Sequence, residues 1–230
     1  MKHMLIGCLC LFATAWAQAA DPAISLVVVG DLDPAMAERV RAFAQENLAL
    51  PVRLLEPREA AAASSLNEIG DAAAEAMGPE DTCLVVLAVP TEDLPNHGVR
   101  LQEKNSAVVN ARLLKPAGGD EEQYGRRLDR EVMMSIGLLM GLETCPNPQC
   151  AMWLYSNDEE LDMKGRNYCP PCLERIQKLA VERGLKIVAD SPFAPIPDEP
   201  VPEEAASEPA APEQAAPAEA GEPEPIAETP

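Results

Sequence analysis

Four cysteines carry the clearest chemical pattern in the chain. Cys145 is followed after four residues by Cys150, and Cys169 after two residues by Cys172, with eighteen residues between the pairs. Two close pairs separated by a loop suit one Zn²⁺ held by four thiolates at about 2.3 Å each. Pro146, Pro148, Pro170 and Pro171 stiffen both pairs. The same spacing accommodates two disulfides, within the pairs or crosswise, and an exported protein meets an oxidising compartment. A four-thiolate centre keeps no open coordination position, so zinc held there is structural. Cys83, in an apolar run, reads as a small buried hydrophobe. Histidine is scarce: the chain has two, His3 and His97. That leaves no room for a catalytic zinc site built on two or three histidines.

The other reactive side chains are weaker signals. Met133, Met134, Met140, Met152 and Met163 cluster in sequence, and thioethers bind Cu(I). Methionine on a buried helix also simply fills the core. Glu131 and Glu143 read as solvated helix charges or ion-pair partners of Arg127 or Arg130, with a metal or cleft role as the alternative. Trp153, Tyr155 and Tyr168 suit packing around a metal loop, or a ligand platform. His97 follows Pro95-Asn96 in a loop, with nothing to pair with it.

The elements that must position these residues alternate. Ala23 to Val29 is an apolar run ending at Gly30, a buried strand. Asp33-Pro34 gives a helix cap and a first-turn proline. Val52 to Leu55 is a short strand. Ser65 and Glu68 form a capping box ahead of Leu66 and Ile69. Cys83 to Val89 is the clearest strand, and residues 99 to 113 suggest an edge strand or hairpin. Tyr124, Leu128, Val132, Ile136 and Leu139 then recur at helical spacing. From Met133 to Leu142 all but Ser135 are apolar or glycine, which predicts a helix buried all round. A last helix is expected from about Pro171 to Arg183, then a terminal strand at Leu185 to Val188. Strands alternating with helices predict a mixed, mostly parallel sheet.

Both ends of the chain differ from this body. Residues 1–19 read as a signal peptide: Lys2 and His3, an apolar run from Met4 to Trp16, and an Ala17-Gln18-Ala19 cleavage site. The run is too short for a membrane span of about 20 residues, and Leu5-Ile6-Gly7-Cys8 lies too early for a lipoprotein box. Export to a bacterial periplasm, or secretion, follows. Residues 191–230 hold 11 Pro, 10 Ala and 10 Asp or Glu, and no Lys or Arg. This composition predicts a disordered acidic tail after a domain spanning 20–190. The formal net charge is −20. It argues against nucleic acid and anionic membranes as partners.

The run from Glu131 to Met152 resembles the core of the archaemetzincins, zinc metallopeptidases of the metzincin clan with the motif HExxHxxGxxHC-x4-CxM followed by CxxC. Gly141, Cys145, Cys150-Ala151-Met152, Cys169 and Cys172 match that motif, and Ser156, Asp162 and Lys164 also resemble family positions. The resemblance extends from Ile24 to about Arg183. It implies an α+β zincin-like domain with a mixed sheet, a buried central helix and a zinc-stabilised C-terminal subregion. It also implies one structural zinc on Cys145, Cys150, Cys169 and Cys172. The family's three zinc histidines fall on Met134, Leu138 and Thr144, and its general-base glutamate on Ser135. Those side chains neither hold a zinc-bound water nor accept its proton. The expectation is therefore a protein that is not an enzyme, with no catalytic residues, binding a peptide or protein partner in the cleft. The alternatives are an active metal-dependent peptidase and a cysteine-based redox or metal-handling protein.

Overall fold

The computed structural model describes residues 21–63 and 65–195. Residues 1–20, which include the expected signal peptide, and residues 196–230 of the acidic tail lie outside the described residues. Five strands form one sheet in the order β2-β1-β3-β5-β4. They are β1 (Ala23–Val29), β2 (Val52–Leu54), β3 (Asp81–Ala88), β4 (Gly98–Leu101) and β5 (Ser106–Asn110). Neighbouring strands are parallel except for the β4–β5 hairpin. The helices are α1 (Pro34–Leu48), α2 (Leu66–Ala74), α3 (Ala111–Leu114), α4 (Glu121–Leu139), α5 (Asp158–Met163) and α6 (Pro170–Glu182).

The strands are apolar without alternation because both faces of the sheet are covered. Ile24, Leu26, Val28, Val85 and Leu87 pack with Val40, Leu48, Leu128, Val132 and Ile176, from α1, α4 and α6. Their neighbours Val27, Val29, Leu84 and Val86 pack on the opposite face against Leu66, Ile69 and Ala73 of α2. The caps behave as their residue types require. Asp33 accepts from the Ala35 N–H, Ser65 from the Glu68 N–H, and Asp120 from the N–H groups of Glu122 and Gln123.

Two local expectations are corrected. The central helix is not buried all round. It ends at Leu139, and Gly141 turns the chain away at φ +89, a conformation that favours glycine. Met134, Ser135 and Leu138 are only partly buried, because this stretch of α4 faces a cleft. Residues Leu185 to Val188 form no strand. After α6 they run past the end of α1, where the Val188 N–H donates to the Ala49 carbonyl at 2.8 Å, a contact to the helix C-cap and not to a strand. The chain still holds contacts just beyond Asp190: Gln177 Nε2 donates to the carbonyls of both Leu48 and Phe193.

The polar side of α4 is also buried, by charge pairing. Asp129 is fully buried and meets Arg39 of α1 at 3.0 Å and Arg166 at 3.3 Å. Burial raises its carboxyl pKa, and the two guanidinium groups oppose that shift. Both arginines are more than a third exposed. Removing Asp129 therefore leaves two groups that water can reach, whereas removing both arginines strands a buried carboxylate. Urea unfolding should show Asp129→Ala costing about 1–3 kcal/mol. The Arg39→Met, Arg166→Met double variant should cost about 3–5 kcal/mol. The reverse order would contradict this account of the bridge.

Candidate functional site: a four-cysteine centre and a cleft over α4

The chain between α4 and α6 is fixed by backbone hydrogen bonds before any metal is considered. The Cys145 N–H donates to the Met152 carbonyl at 2.9 Å, the Cys150 N–H to Asn147 at 3.0 Å, and the Ala151 N–H to Asn167 at 2.8 Å. These turns gather Cys145, Cys150, Cys169 and Cys172, whose sulfurs all lie within 4.8 Å of one another. The Cys145 and Cys169 sulfurs are 3.8 Å apart. Four sulfurs at tetrahedral corners about 2.3 Å from zinc stand about 3.8 Å apart, so the donor set fits the ion. All four are free thiols here. The N–H groups of Met152 and Cys169 point at the Cys150 sulfur at 3.5 and 3.4 Å, the kind of outer contact that stabilises a ligating thiolate. Bound there, zinc would cross-link the two halves of the loop. Cys83 lies apart in β3, where burial pushes its thiol up to about 12.

The same loop packs on α4. Tyr168, next to Cys169, donates its hydroxyl to the Met133 carbonyl at 2.6 Å. Met152, two residues after Cys150, lies so close to Gly137 that a Cβ there would collide with its sulfur. The methionines divide accordingly: Met133, Met140 and Met152 are core residues, Met134 lines the cleft, and Met163 is 66 % exposed.

The cleft has a volume of about 480 Å³. Its floor is Glu131, Met134, Ser135 and Leu138 of α4. Asn96 to Arg100, running into β4, forms one wall, and Tyr155 stands beside it. Of the positions singled out by the family motif, Met134, Ser135 and Leu138 thus meet in the cleft. Thr144 is exposed and is not among its lining residues.

Two sequence readings of charged residues change here. Glu131 is neither solvated nor paired with Arg127 or Arg130. Arg127 binds Asp158 and Asp162, and Arg130 donates to the carbonyls of Lys164 and Asp162. The cation nearest Glu131 is Lys164, fully buried, with Nζ 3.9 Å from Oε1 and 3.0 Å from the Met134 sulfur. Burial pushes the Glu131 carboxyl up and the Lys164 amine down to about 8, each opposed by the other's charge. His97, expected to lack a partner, meets the Tyr155 hydroxyl through Nδ1 at 2.9 Å and approaches Asp158 through Nε2 at 3.4 Å. Sequence spacing held no signal for these contacts, because α5 and the segments flanking it supply the partners Tyr155, Asp158 and Lys164 from distant parts of the chain.

The comparisons with known proteins agree with this architecture. Residues 96–178 match the model described as Peptidase family M54. The archaemetzincin of Methanopyrus kandleri is 34% identical over 100 residues, covering 40% of this chain and 55% of the relative. That of Thermococcus kodakarensis is 34% identical over 88 residues, 34% of this chain and 45% of the relative. The chain thus spans about half the length of these curated relatives. In three dimensions the likeness is broader. The crystal structure of the Methanopyrus kandleri archaemetzincin superposes with TM-score 0.55 at 22% identity, covering 69% of this chain and 96% of that one. These relatives correct the expectation that the chain is not an enzyme: they carry the name of a zinc metallopeptidase family, which points to an enzyme.

Two predictions follow from the centre and the buried pair. Cys150→Ser should abolish bound zinc, read by metal analysis of the purified protein, and make the chain protease-sensitive, since a structural zinc contributes on the order of 10 kcal/mol to folding. Lys164→Met should cost about 3–5 kcal/mol by leaving Glu131 buried alone, and adding Glu131→Gln should recover most of that loss in urea titrations. An uncharged double variant no more stable than the single would mean that the pair is not coupled. The chain is archaemetzincin-like over its matched part, with a zincin-like α+β fold and a four-cysteine group that could hold one metal ion.

Proposed function

We propose that the cleft over α4 binds an extended peptide and that the four-cysteine zinc holds its walls in place. The observation that carries this reading is the free edge of β4. Strands β4 and β5 pair as an antiparallel hairpin, and β4 ends the sheet. The Asn110 N–H donates to the His97 carbonyl at 2.8 Å, so by the alternation of an antiparallel ladder Gly98 and Arg100 turn their own N–H and C=O groups away from β5. Those groups border the cleft, and an extended chain laid there gains main-chain hydrogen bonds by strand addition. Met134 and Leu138 give the floor an apolar surface, and Ser135, His97 and Tyr155 give it polar groups. The match of residues 96–178 to the Peptidase family M54 model supports the choice of ligand.

No helix among the described residues is long and apolar enough to cross a membrane. Separately, the signal-like sequence of residues 1–19 supports a periplasmic or secreted site of action. The acidic charge makes nucleic acid a poor partner.

Capped octapeptide pools provide the test, with binding read by fluorescence polarisation and any cleavage read by mass spectrometry of the same samples. Peptide binding is expected in the micromolar range or tighter. Ser135→Trp, which fills the cleft from its floor, should weaken binding at least tenfold while the melting temperature stays within a few degrees. Wild-type protein that binds no pool, or binding untouched by Ser135→Trp, would overturn the reading.

A further inference from the structure

The cleft holds one charge that the protein itself leaves uncommitted. Around it, Glu131 is faced by Lys164, and Asp158 by Arg127 and His97. Arg100 is different. It is exposed, it lines the cleft, and among the described residues it has no ion pair and no side-chain hydrogen bond. This is unusual for the chain, whose acids outnumber its bases 38 to 18. Arg39, Arg41, Arg53, Arg112, Arg126, Arg127 and Arg166 all meet carboxylates. Arg58, Arg130 and Arg183 donate to main-chain carbonyls instead, and Arg175, on α6 and likewise without an ion pair or side-chain hydrogen bond among the described residues, does not line the cleft.

The fold determines where the Arg100 side chain goes. Side chains alternate along a strand. Val99 packs with the α2 face of the sheet, and Leu101 meets Gly70 of α2. Arg100, between them, must project to the other face, over α4. Its main-chain groups at the free edge and its guanidinium over the cleft are therefore presented to one and the same ligand.

We infer that the peptide taken by this cleft carries a carboxylate, which Arg100 receives. A guanidinium matches a carboxylate with two parallel N–H bonds, and no protein acid competes for it. The rest of the cleft adds no opposing unpaired charge, since its one buried carboxylate is balanced by Lys164. A cationic ligand would face Arg100 directly, and the Glu131 carboxylate in the floor is already balanced by Lys164. The carboxylate belongs either to an Asp or Glu side chain or to the C-terminus of the peptide. The inference rests on the peptide reading of the cleft and adds the chemical class of its ligand.

The test uses octapeptide pools with one position fixed in turn, N-acetylated, and C-amidated in one arm and free acids in the other. With the full mature chain, one fixed position should prefer Asp or Glu over Asn or Gln by five- to tenfold, or the free-acid arm should bind better than the amidated arm by the same factor. The first result assigns a side-chain carboxylate and the second a C-terminal one. Arg100→Gln should erase the preference, Arg100→Lys should keep part of it, and Arg100→Glu should favour Lys or Arg at that position. Because Arg100 is exposed and unpaired, all three variants should melt with the wild type. Pools that bind without any preference for a carboxylate would overturn this inference and leave the peptide cleft standing, as would a preference that survives Arg100→Gln. Failure of every pool to bind would overturn both.

Discussion

Buried charge on α4 must be answered by a segment with little core of its own, and the site depends on that constraint. Arg127, Asp129, Arg130 and Glu131 occupy four of five successive positions on a helix that crosses the sheet. Water reaches little of any of them. Their partners are Arg39 of α1 and a group drawn from α5 and the loop after it: Asp158, Asp162, Lys164 and Arg166. Removing charge from water costs several kcal/mol per ion unless each ion is paired. The fold is therefore stable only when the cysteine-rich loop is docked, and the loop in turn is held by a few turns and four thiols. A metal there acts on the whole domain, because it fixes the partners that make the helix tolerable in the core.

The cleft follows from the same arrangement. Tyr168 and Met152 hold the loop against Met133 and Gly137, on the covered side of α4. Met134, Ser135 and Leu138 are turned toward β4 instead, and the loop contributes Tyr155 to that side. Glu131 and Lys164 lie at the boundary between the two. Tyr155 is held by His97, and its phenol is pushed upward by burial and by the Glu131 charge. A polar network thus runs from the buried helix to the cleft wall, and a change in the loop would be felt at the cleft through it.

The sequence was informative where one residue type or a short spacing decides structure. The β1 and β3 runs, the caps at Asp33 and Ser65, and the four-cysteine pattern all lie within a few residues of their determinants. The last helix, Pro170–Glu182, is legible for the same reason, since proline fixes its first turn. What could not be read was set by tertiary partners. Glu131 carries no mark of burial in its own neighbourhood, because Lys164 lies thirty-three residues away in sequence. His97 pairs with Tyr155 only after the β4–β5 hairpin has placed it over the loop. The apolar stretch after Met133 was expected to be buried on all sides, yet one strip of it faces a cleft. Composition cannot separate a core surface from a floor on which a ligand sits.

That ambiguity bears on what the cleft floor does. An apolar floor under a free strand edge is a poor surface to leave bare in water, since such an edge invites unwanted pairing with other chains. Two features limit that hazard here. β4 is only four residues long, and Arg100 places a charge in its middle. A short, charged edge resists indiscriminate strand addition, and it does so without closing the cleft. The same guanidinium that keeps the wrong chains off the edge then discriminates among the right ones, because it discourages any segment that brings no carboxylate to it. Protection of the edge and selection of the ligand are thus served by a single residue, which explains how Arg100 can stand unpaired in a protein rich in acids.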